Sequence, residues 1–213
     1  HGERLAARLT LLQCTTEYPA PFDEINLRSM QDLRERYGVA VGFSDHSEGA
    51  EASLAAVALG ASIELDVYQT RDGQLVVIHD DTVDRTTNGT GTIGDLTLAQ
   101  IRKLDAGGWF HPRFRGLKVP TLEEAFRVVK KRQRAPITIA LNMKVISPGI
   151  EAKIVKLVKK HDLFDQLFAF GQPTDSSRRF KAANRKLRTT IVKIYDSAQF
   201  ATALKDPLAD CLW

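Results

Sequence analysis

Glu64 and Asp66 stand two residues apart inside the apolar run Ser62–Val67. On a strand, residues i and i+2 share a face. Two carboxylates on one face cost much desolvation unless something compensates. A hard divalent cation such as Mg2+ or Ca2+ would do so; the plain alternative is a pair of salt bridges to neighbouring Lys or Arg. The next run, Leu75-Val76-Val77-Ile78, ends in His79. A histidine there can serve as general acid or base, or can simply hydrogen-bond. Asn142 and Lys144 repeat the i, i+2 spacing. An amide oxygen can ligate a metal and a Lys can neutralise a phosphate, or the Lys can pair with an interior carboxylate. His46, in Phe43-Ser44-Asp45-His46-Ser47, follows another apolar run. It reaches the same end of the fold, or belongs to a helix-capping cluster with Ser44, Asp45 and Ser47. His111, His161 and Cys14 receive no role.

These residues need elements to hold them. Eight runs read as strands: Leu9–Cys14, Val39–Phe43, Ser62–Val67, Leu75–His79, Ile137–Met143, Leu167–Phe170, Thr189–Ile194 and Asp210–Trp213. They are rich in Val, Ile, Leu and Phe and do not alternate cleanly, as expected of parallel strands covered on both faces. Helical stretches fall between most of them: Asn26–Tyr37, Glu48–Leu59, Thr121–Arg132, Gly149–His161, Ser176–Asn184 and Ala198–Lys205, with another, Gly2–Arg8, before the first. Thr121 and Glu124 have capping-box spacing, and Gly38 and Gly60 sit where helices end. The expected fold is α/β, a (βα)8 TIM barrel in a single domain of 213 residues. An open doubly wound sheet is the alternative, but no G-x-G-x-x-G turn is present. Residues 80–120 interrupt the rhythm with Thr, Asn and Gly turns and one short helix, Thr97–Leu104. An insertion of that length after a strand reads as a small cap over the barrel mouth.

Composition narrows the class. Hydrophobic residues make up 43% and charged residues 26%, which excludes a disordered or low-complexity chain. No apolar run reaches membrane-spanning length. Two cysteines make neither a disulfide framework nor a zinc site, so a cytoplasmic setting is the default. Both ends read as truncated, and no signal-peptide core is seen. The net charge of +4 divides unevenly: residues 113–193 hold 20 Lys and Arg against 6 Asp and Glu. Their helical spacing and the lack of interleaved aromatic residues favour a solvated basic surface over a nucleic-acid site.

Two stretches resemble known families. Gly60-Ala61-Ser62-Ile63-Glu64-Leu65-Asp66-Val67, Thr70-Arg71-Asp72-Gly73, Leu75 through Gly91 (with His79-Asp80-Asp81 and Arg85-Thr86-Thr87-Asn88-Gly89), and Val119-Pro120-Thr121-Leu122-Glu123-Glu124 resemble the glycerophosphodiester phosphodiesterases. The likeness runs from about residue 62 to the end. It implies a TIM barrel with a cap and a divalent metal on Glu64 and Asp66. It also implies a phosphate-binding lysine at Lys144 and His79 as one of two catalytic histidines. Two departures stand out. Counting back from Glu51, that family's first-strand His-Arg falls on Gly42 and Phe43, and its third metal carboxylate is Asn142 here.

Residues 9–63 are instead similar to the sialic acid synthases, through Leu11-Leu12-Gln13-Cys14-Thr15-Thr16-Glu17-Tyr18-Pro19-Ala20-Pro21 and Val41-Gly42-Phe43-Ser44-Asp45-His46-Ser47-Glu48-Gly49. That family condenses phosphoenolpyruvate with an N-acetylhexosamine using a divalent metal. His46 matches one of its metal-ligand histidines and Gln13 stands in place of the other. The junction falls near Gly60–Glu64, giving a fused barrel of units 1–63 and 64–213. Three functions are open. One is a weak metal-dependent hydrolase of small-molecule phosphodiesters, in which His46 stands in for the missing histidine. The others are a hybrid barrel without a native reaction and a phosphoenolpyruvate condensation.

Overall fold

The computed structural model describes residues 10–17, 20–44, 51–133, 137–145, 147–171 and 176–189. Strand β1 (Thr10–Cys14) leads through helix α1 (Ser29–Tyr37) to β2 (Ala40–Ser44), and α2 (Glu51–Ala58) leads to the long β3 (Ser62–Gln69). After a short hairpin strand, β4 (Leu75–Val77), come α3 (Leu98–Ile101) and α4 (Leu122–Arg132). The chain then alternates through β5 (Ile139–Met143), α5 (Ile150–Lys160), β6 (Leu167–Gly171), α6 (Ser176–Ala183) and β7 (Arg188–Thr189). Strands β1, β2, β3, β5, β6 and β7 pair in that order, every pair parallel. Neighbours in sequence are neighbours in space, each reached through a helix or helices. This is the winding of a (βα)8 barrel.

One expected barrel strand is not one. Leu75–His79 forms β4, which pairs antiparallel with β3, Val67 opposite Val77 and Gln69 opposite Leu75. Only residues 70–74 separate the two strands. A parallel return needs a dozen or more connecting residues, so five can make only a hairpin. The turn is held by Thr70, whose hydroxyl donates to Asp72 Oδ1 at 2.6 Å and accepts from the Gln74 N–H at 2.9 Å. The expected helices Gly2–Arg8 and Ala198–Lys205 and the strand Asp210–Trp213 lie outside the described residues, as does His46.

The strand faces sort the side chains. On β3, β5 and β6 one set of alternate residues packs outward: Ile63 and Val67, Ile139, Leu141 and Met143, Leu167 and Ala169. They meet Leu122, Phe126 and Val129 of α4, Ile150, Ile154 and Val158 of α5, and Phe180 of α6. By the two-residue period, Glu64, Asp66 and Asn142 face the barrel interior. On the other side Val41 and Phe43 of β2 join Met30, Ala52 and Ala56 of α1 and α2.

Residues 80–120 form the expected cap with a core of its own. Val83, Ile93, Ile101 and Val119 close over Val76 and Ile78, with Tyr68 of β3 at the edge. Both ends of the cap are fixed to the hairpin: Ile78 N–H bonds to Asp66 O at 3.1 Å and Val77 N–H to Pro120 O at 2.9 Å. Arg102 then clamps Glu124 through two hydrogen bonds of 2.9 and 3.0 Å.

The local signals hold. Thr121 accepts from the Glu124 N–H while the Glu124 carboxylate accepts from the Thr121 N–H, a complete capping box on α4. Gly38 ends α1 in the left-handed region at φ 63°, and Gly60 follows α2 at φ 77°. Thr121→Ala removes the acceptor at the N-terminus of α4 and is expected to lower unfolding stability by about 1 kcal/mol, read from the midpoint of urea denaturation.

Candidate active site

The interior face of β3 carries Ser62, Glu64 and Asp66 in one line. In register with it, Asn142 of β5 lies beside Asp66 and Ala140 beside Glu64. Lys144 follows β5 and is fixed by its own N–H, which bonds to Val67 O at 3.1 Å. Its ammonium reaches Asp66 Oδ1 at 2.9 Å. The Asn142 amide donates to the same oxygen at 2.9 Å. The four side chains, from two i, i+2 motifs 76 residues apart, thus meet at one point.

The two carboxylates are treated unequally. Asp66 has Lys144 and Asn142. Glu64 Oε1 is buried with no hydrogen-bond partner. Burial pushes the Glu64 carboxyl up to about 8, and the neighbouring Asp66 charge adds to this, while Lys144 and Asn142 pull it down. Burial alone would lower the Lys144 pKa. The hydrogen bond and charge of Asp66 outweigh that, so it lies above the ordinary value. The pairing of Lys144 with a carboxylate, one of the two readings of that residue, is therefore what the structure shows for Asp66 and not for Glu64.

The donor set suits a hard divalent cation. Glu64 presents an oxygen with nothing to bind, Asp66 presents another, and a half-turn of the Asn142 amide offers a third. Among the described residues no group of three or more His, Cys, Asp or Glu is placed to hold a metal. A cation here would therefore depend on the amide and on solvent or substrate oxygens.

The hairpin delivers His79 to the same rim, one residue beyond the Ile78–Asp66 hydrogen bond. Its Nδ1 lies 2.8 Å from Asp80 Oδ1. Arg85 holds the same carboxylate from the other side, Nε to Oδ2 at 2.7 Å and Nη2 to Oδ1 at 2.9 Å. The Arg85 hydrogen bond brings Asp80 down to about 2, so it stays ionised. An ionised Asp80 fixes the proton on Nδ1 and directs Nε2 away from itself. Asp80 and Arg85 thus act on His79, a role that the sequence pattern alone did not assign. Tyr68 was also missed. It follows Asp66 by two on the same face, and burial raises its phenol above the usual value, with Lys144 opposing and Asp81, Asp66 and Asp80 adding to the rise. Extending the i, i+2 rule by one step would have found it.

The two departures have a structural form. Gly42 lies between Leu12 and Ser62 in register. A Cβ at position 42 would stand 2.5 Å from Leu12 Cδ2 and 3.1 Å from Ser62 Cβ. Leu12 therefore fills the space that a longer side chain at Gly42 would enter. Phe43 is buried among Met30, Ala52 and Ala56, away from the carboxylates. Gln13 lies beside Phe43 on that same outward side, its amide oxygen buried without a partner.

Comparison with known proteins fits this geometry. Residues 44–192 match the model of the glycerophosphoryl diester phosphodiesterase family. The chain belongs to that family. Residues 2–72 match the NeuB family, and the two matches overlap over 44–72, which contains the expected junction. The chain thus joins a NeuB-like segment to a diesterase-family remainder. A glycerophosphodiester phosphodiesterase of Caldanaerobacter subterraneus is 46% identical over 116 residues, covering 53% of this chain and 46% of that protein. The N,N'-diacetyllegionaminic acid synthase of Campylobacter jejuni is 60% identical over 55 residues, covering 26% of this chain and 16% of that one. Among solved structures, an Oleispira antarctica phosphodiesterase in complex with the product sn-glycerol-3-phosphate aligns with a TM-score of 0.59. It is 28% identical and covers 75% of this chain and 67% of that chain. The chain spans about half the length of the diesterase relatives it matches.

The raised Glu64 carboxyl makes stability depend on pH. Its folded pKa of about 8 exceeds the ordinary 4.5. Between those values the folded state holds a proton that the unfolded state has lost, so stability falls as pH rises. Thermal unfolding in EDTA is expected to show the wild type losing stability from pH 5 to pH 8.5. Glu64→Gln should lose distinctly less over the same range; parallel profiles for the two proteins would refute the assignment.

Proposed function

We propose that this protein hydrolyses small-molecule phosphodiesters of the glycerophosphodiester class with a divalent cation, Mg2+ or Ca2+, and that it does so slowly. The observation that carries this reading is the unpartnered Glu64 oxygen beside Asp66, Asn142 and Lys144. Glu64, Asp66 and Asn142 would hold the cation, which when bound supplies Lewis-acid polarisation of a phosphoryl oxygen. Lys144 sits one step further along and would bind a second phosphoryl oxygen, offsetting charge as it grows in the transition state. His79, with its ring held by Asp80, would donate a proton from Nε2 to the leaving alkoxide oxygen. His46 would act as the base or nucleophile that the first-strand histidine supplies elsewhere in the family. All of this would take place in one barrel domain over residues 1–213, with units 1–63 and 64–213. No nucleic-acid partner is needed, and a cytoplasmic setting suits the two cysteines. Among the described residues no helix is long and apolar enough to cross a membrane.

The low rate follows from Gly42 and Phe43. Loss of one acid–base group costs about 10²–10⁴-fold. Hydrolysis of glycerophosphocholine is expected to be measurable with Mg2+ or Ca2+, absent in EDTA and absent in Glu64→Gln. Turnover unchanged in that variant would remove the proposal. A second reading, a hybrid barrel with no native reaction, draws on Leu12 occupying the space over Gly42. The two readings diverge on a pair of substitutions. Gly42→His alone should gain little because Leu12 blocks it. Leu12→Ala combined with Gly42→His should raise the rate of glycerophosphocholine hydrolysis at least about tenfold over either single variant, the lower part of what one acid–base group contributes. A barrel without a working site would give no turnover in any of the three.

A further inference from the structure

The cap carries a surface that the hydrolytic site does not use. From Ala106 to Lys118 the sequence is Ala-Gly-Gly-Trp-Phe-His-Pro-Arg-Phe-Arg-Gly-Leu-Lys. Three aromatic residues and a leucine are interleaved with three permanent cations, and no Asp or Glu occurs in the stretch. Large apolar side chains remain in water here: Trp109 is 41% exposed and Leu117 is 56% exposed.

This is a built surface and not a loose loop. Phe110 and Phe114 stack with ring centroids 5.5 Å apart and planes 9° from parallel. The Arg113 guanidinium lies 4.4 Å from the Phe114 centroid. Trp109 Nε1 donates to Ala106 O at 3.0 Å, which fixes the indole with its polar edge toward the backbone. Gly107 packs so tightly beneath Phe114 that a Cβ there would meet the Phe114 carbonyl oxygen at 2.1 Å. The cations gather on the same segment. Lys118 donates to the carbonyls of Lys103 and Leu104 at 3.2 and 2.9 Å, which brings the exposed Lys103 beside it. Asp105, at the edge of the segment, is ionised and accepts from the N–H groups of Gly107 and Gly108, both at 2.9 Å. Lys103, Arg113, Arg115 and Lys118 outnumber it four to one, so the segment is net positive.

We propose that this face of the cap docks the protein on an anionic phospholipid surface. Apolar and aromatic side chains that would otherwise stay in water enter the interfacial layer, where an indole is at home. Cations beside them meet lipid phosphates, each adding attraction that salt screens. The chemistry asks for both halves at once, and the segment supplies both within thirteen residues. The placement is also apt. The cap is fastened to the hairpin that carries His79, and that hairpin is bonded through Ile78 to the Asp66 carbonyl, so a docked cap is tied directly to the strand bearing the carboxylates. Docking does not depend on the proposed hydrolysis, and its test reads binding alone.

The full chain is sedimented with vesicles of phosphatidylglycerol and phosphatidylcholine in equal parts, and with phosphatidylcholine alone. Binding is expected to the first and not to the second, and to weaken as NaCl rises from 0.05 to 0.5 M. Arg113→Gln and Arg115→Gln should each weaken partitioning about fivefold. Leu117→Ser, at a side chain exposed in the fold, should weaken it by a similar factor while leaving thermal unfolding unchanged. The sequence has two tryptophans, Trp109 and Trp213. In a Trp213→Phe variant the emission therefore reports Trp109 alone and should shift to shorter wavelength on the anionic vesicles. Equal binding to both vesicle types, no binding to either, or an emission spectrum that stays put while the protein sediments would each overturn the proposal.

Discussion

The organising constraint is electrostatic. Glu64 and Asp66 lie on one face of a single strand, turned into a barrel where water is scarce. Among the described residues Lys144 is the cation paired with them, and it is placed on Asp66. The remaining charge has three outlets: a proton, a metal ion, or ionisation at a cost. The raised Glu64 carboxyl is the first of these at neutral pH, and the orphaned Oε1 is its geometric counterpart. Much of the local architecture serves to hold this arrangement in place. Register between β3 and β5 fixes Asn142 at Asp66. The Lys144 backbone is tied to Val67. The hairpin brings in His79 through the Asp66 carbonyl.

How much of this could be read from the sequence depends on the range of the cause. The strands Leu9–Cys14, Val39–Phe43, Ser62–Val67, Ile137–Met143 and Leu167–Phe170, the Thr121 capping box, the glycine helix ends and the existence of the cap are short-range matters, and each was legible. The i, i+2 rule correctly put Glu64 with Asp66, because strand periodicity does not depend on tertiary context. The meeting of Asp66 with Asn142 and Lys144 spans 76 residues and follows from register, which no local pattern encodes. The family likeness pointed to the same residues, but the geometry showed which carboxylate the lysine takes. Leu75–His79 was read as a barrel strand because its composition is that of one. Its direction was decided by the five residues before it, and counting them would have revealed the hairpin. The outward turn of Phe43 was equally out of reach, since apolar residues suit both faces of a strand covered on both sides.

The overlap of the two family matches, residues 44–72, starts at the last residue of β2 and takes in α2 and β3. That is where a join costs least. A barrel strand must offer a parallel edge to each neighbour, small or apolar side chains inward and an apolar face to its helices. The β2–β3 region meets all three conditions: Val41 and Phe43 pack on α1 and α2, and Gly42 and Ser62 pass side by side inside. Fold is thus carried across the junction by hydrophobic layers that either family can supply.

The site has no such tolerance. An active site on a barrel draws one or two residues from each of several strand ends. Exchanging strands therefore removes chemistry in discrete units while leaving the layers intact. Here the carboxylates of β3, the amide of β5 and the lysine after it all lie within the diesterase-family match. The strand before them contributes Gly42 to the interior, and β1 adds Leu12 where a longer side chain would have stood. Leu12 and Gly42 are register partners on β1 and β2, so a side chain added at position 42 meets Leu12 first. A side chain added at position 42 and the Leu12 methyl therefore compete for one volume, which Leu12 occupies.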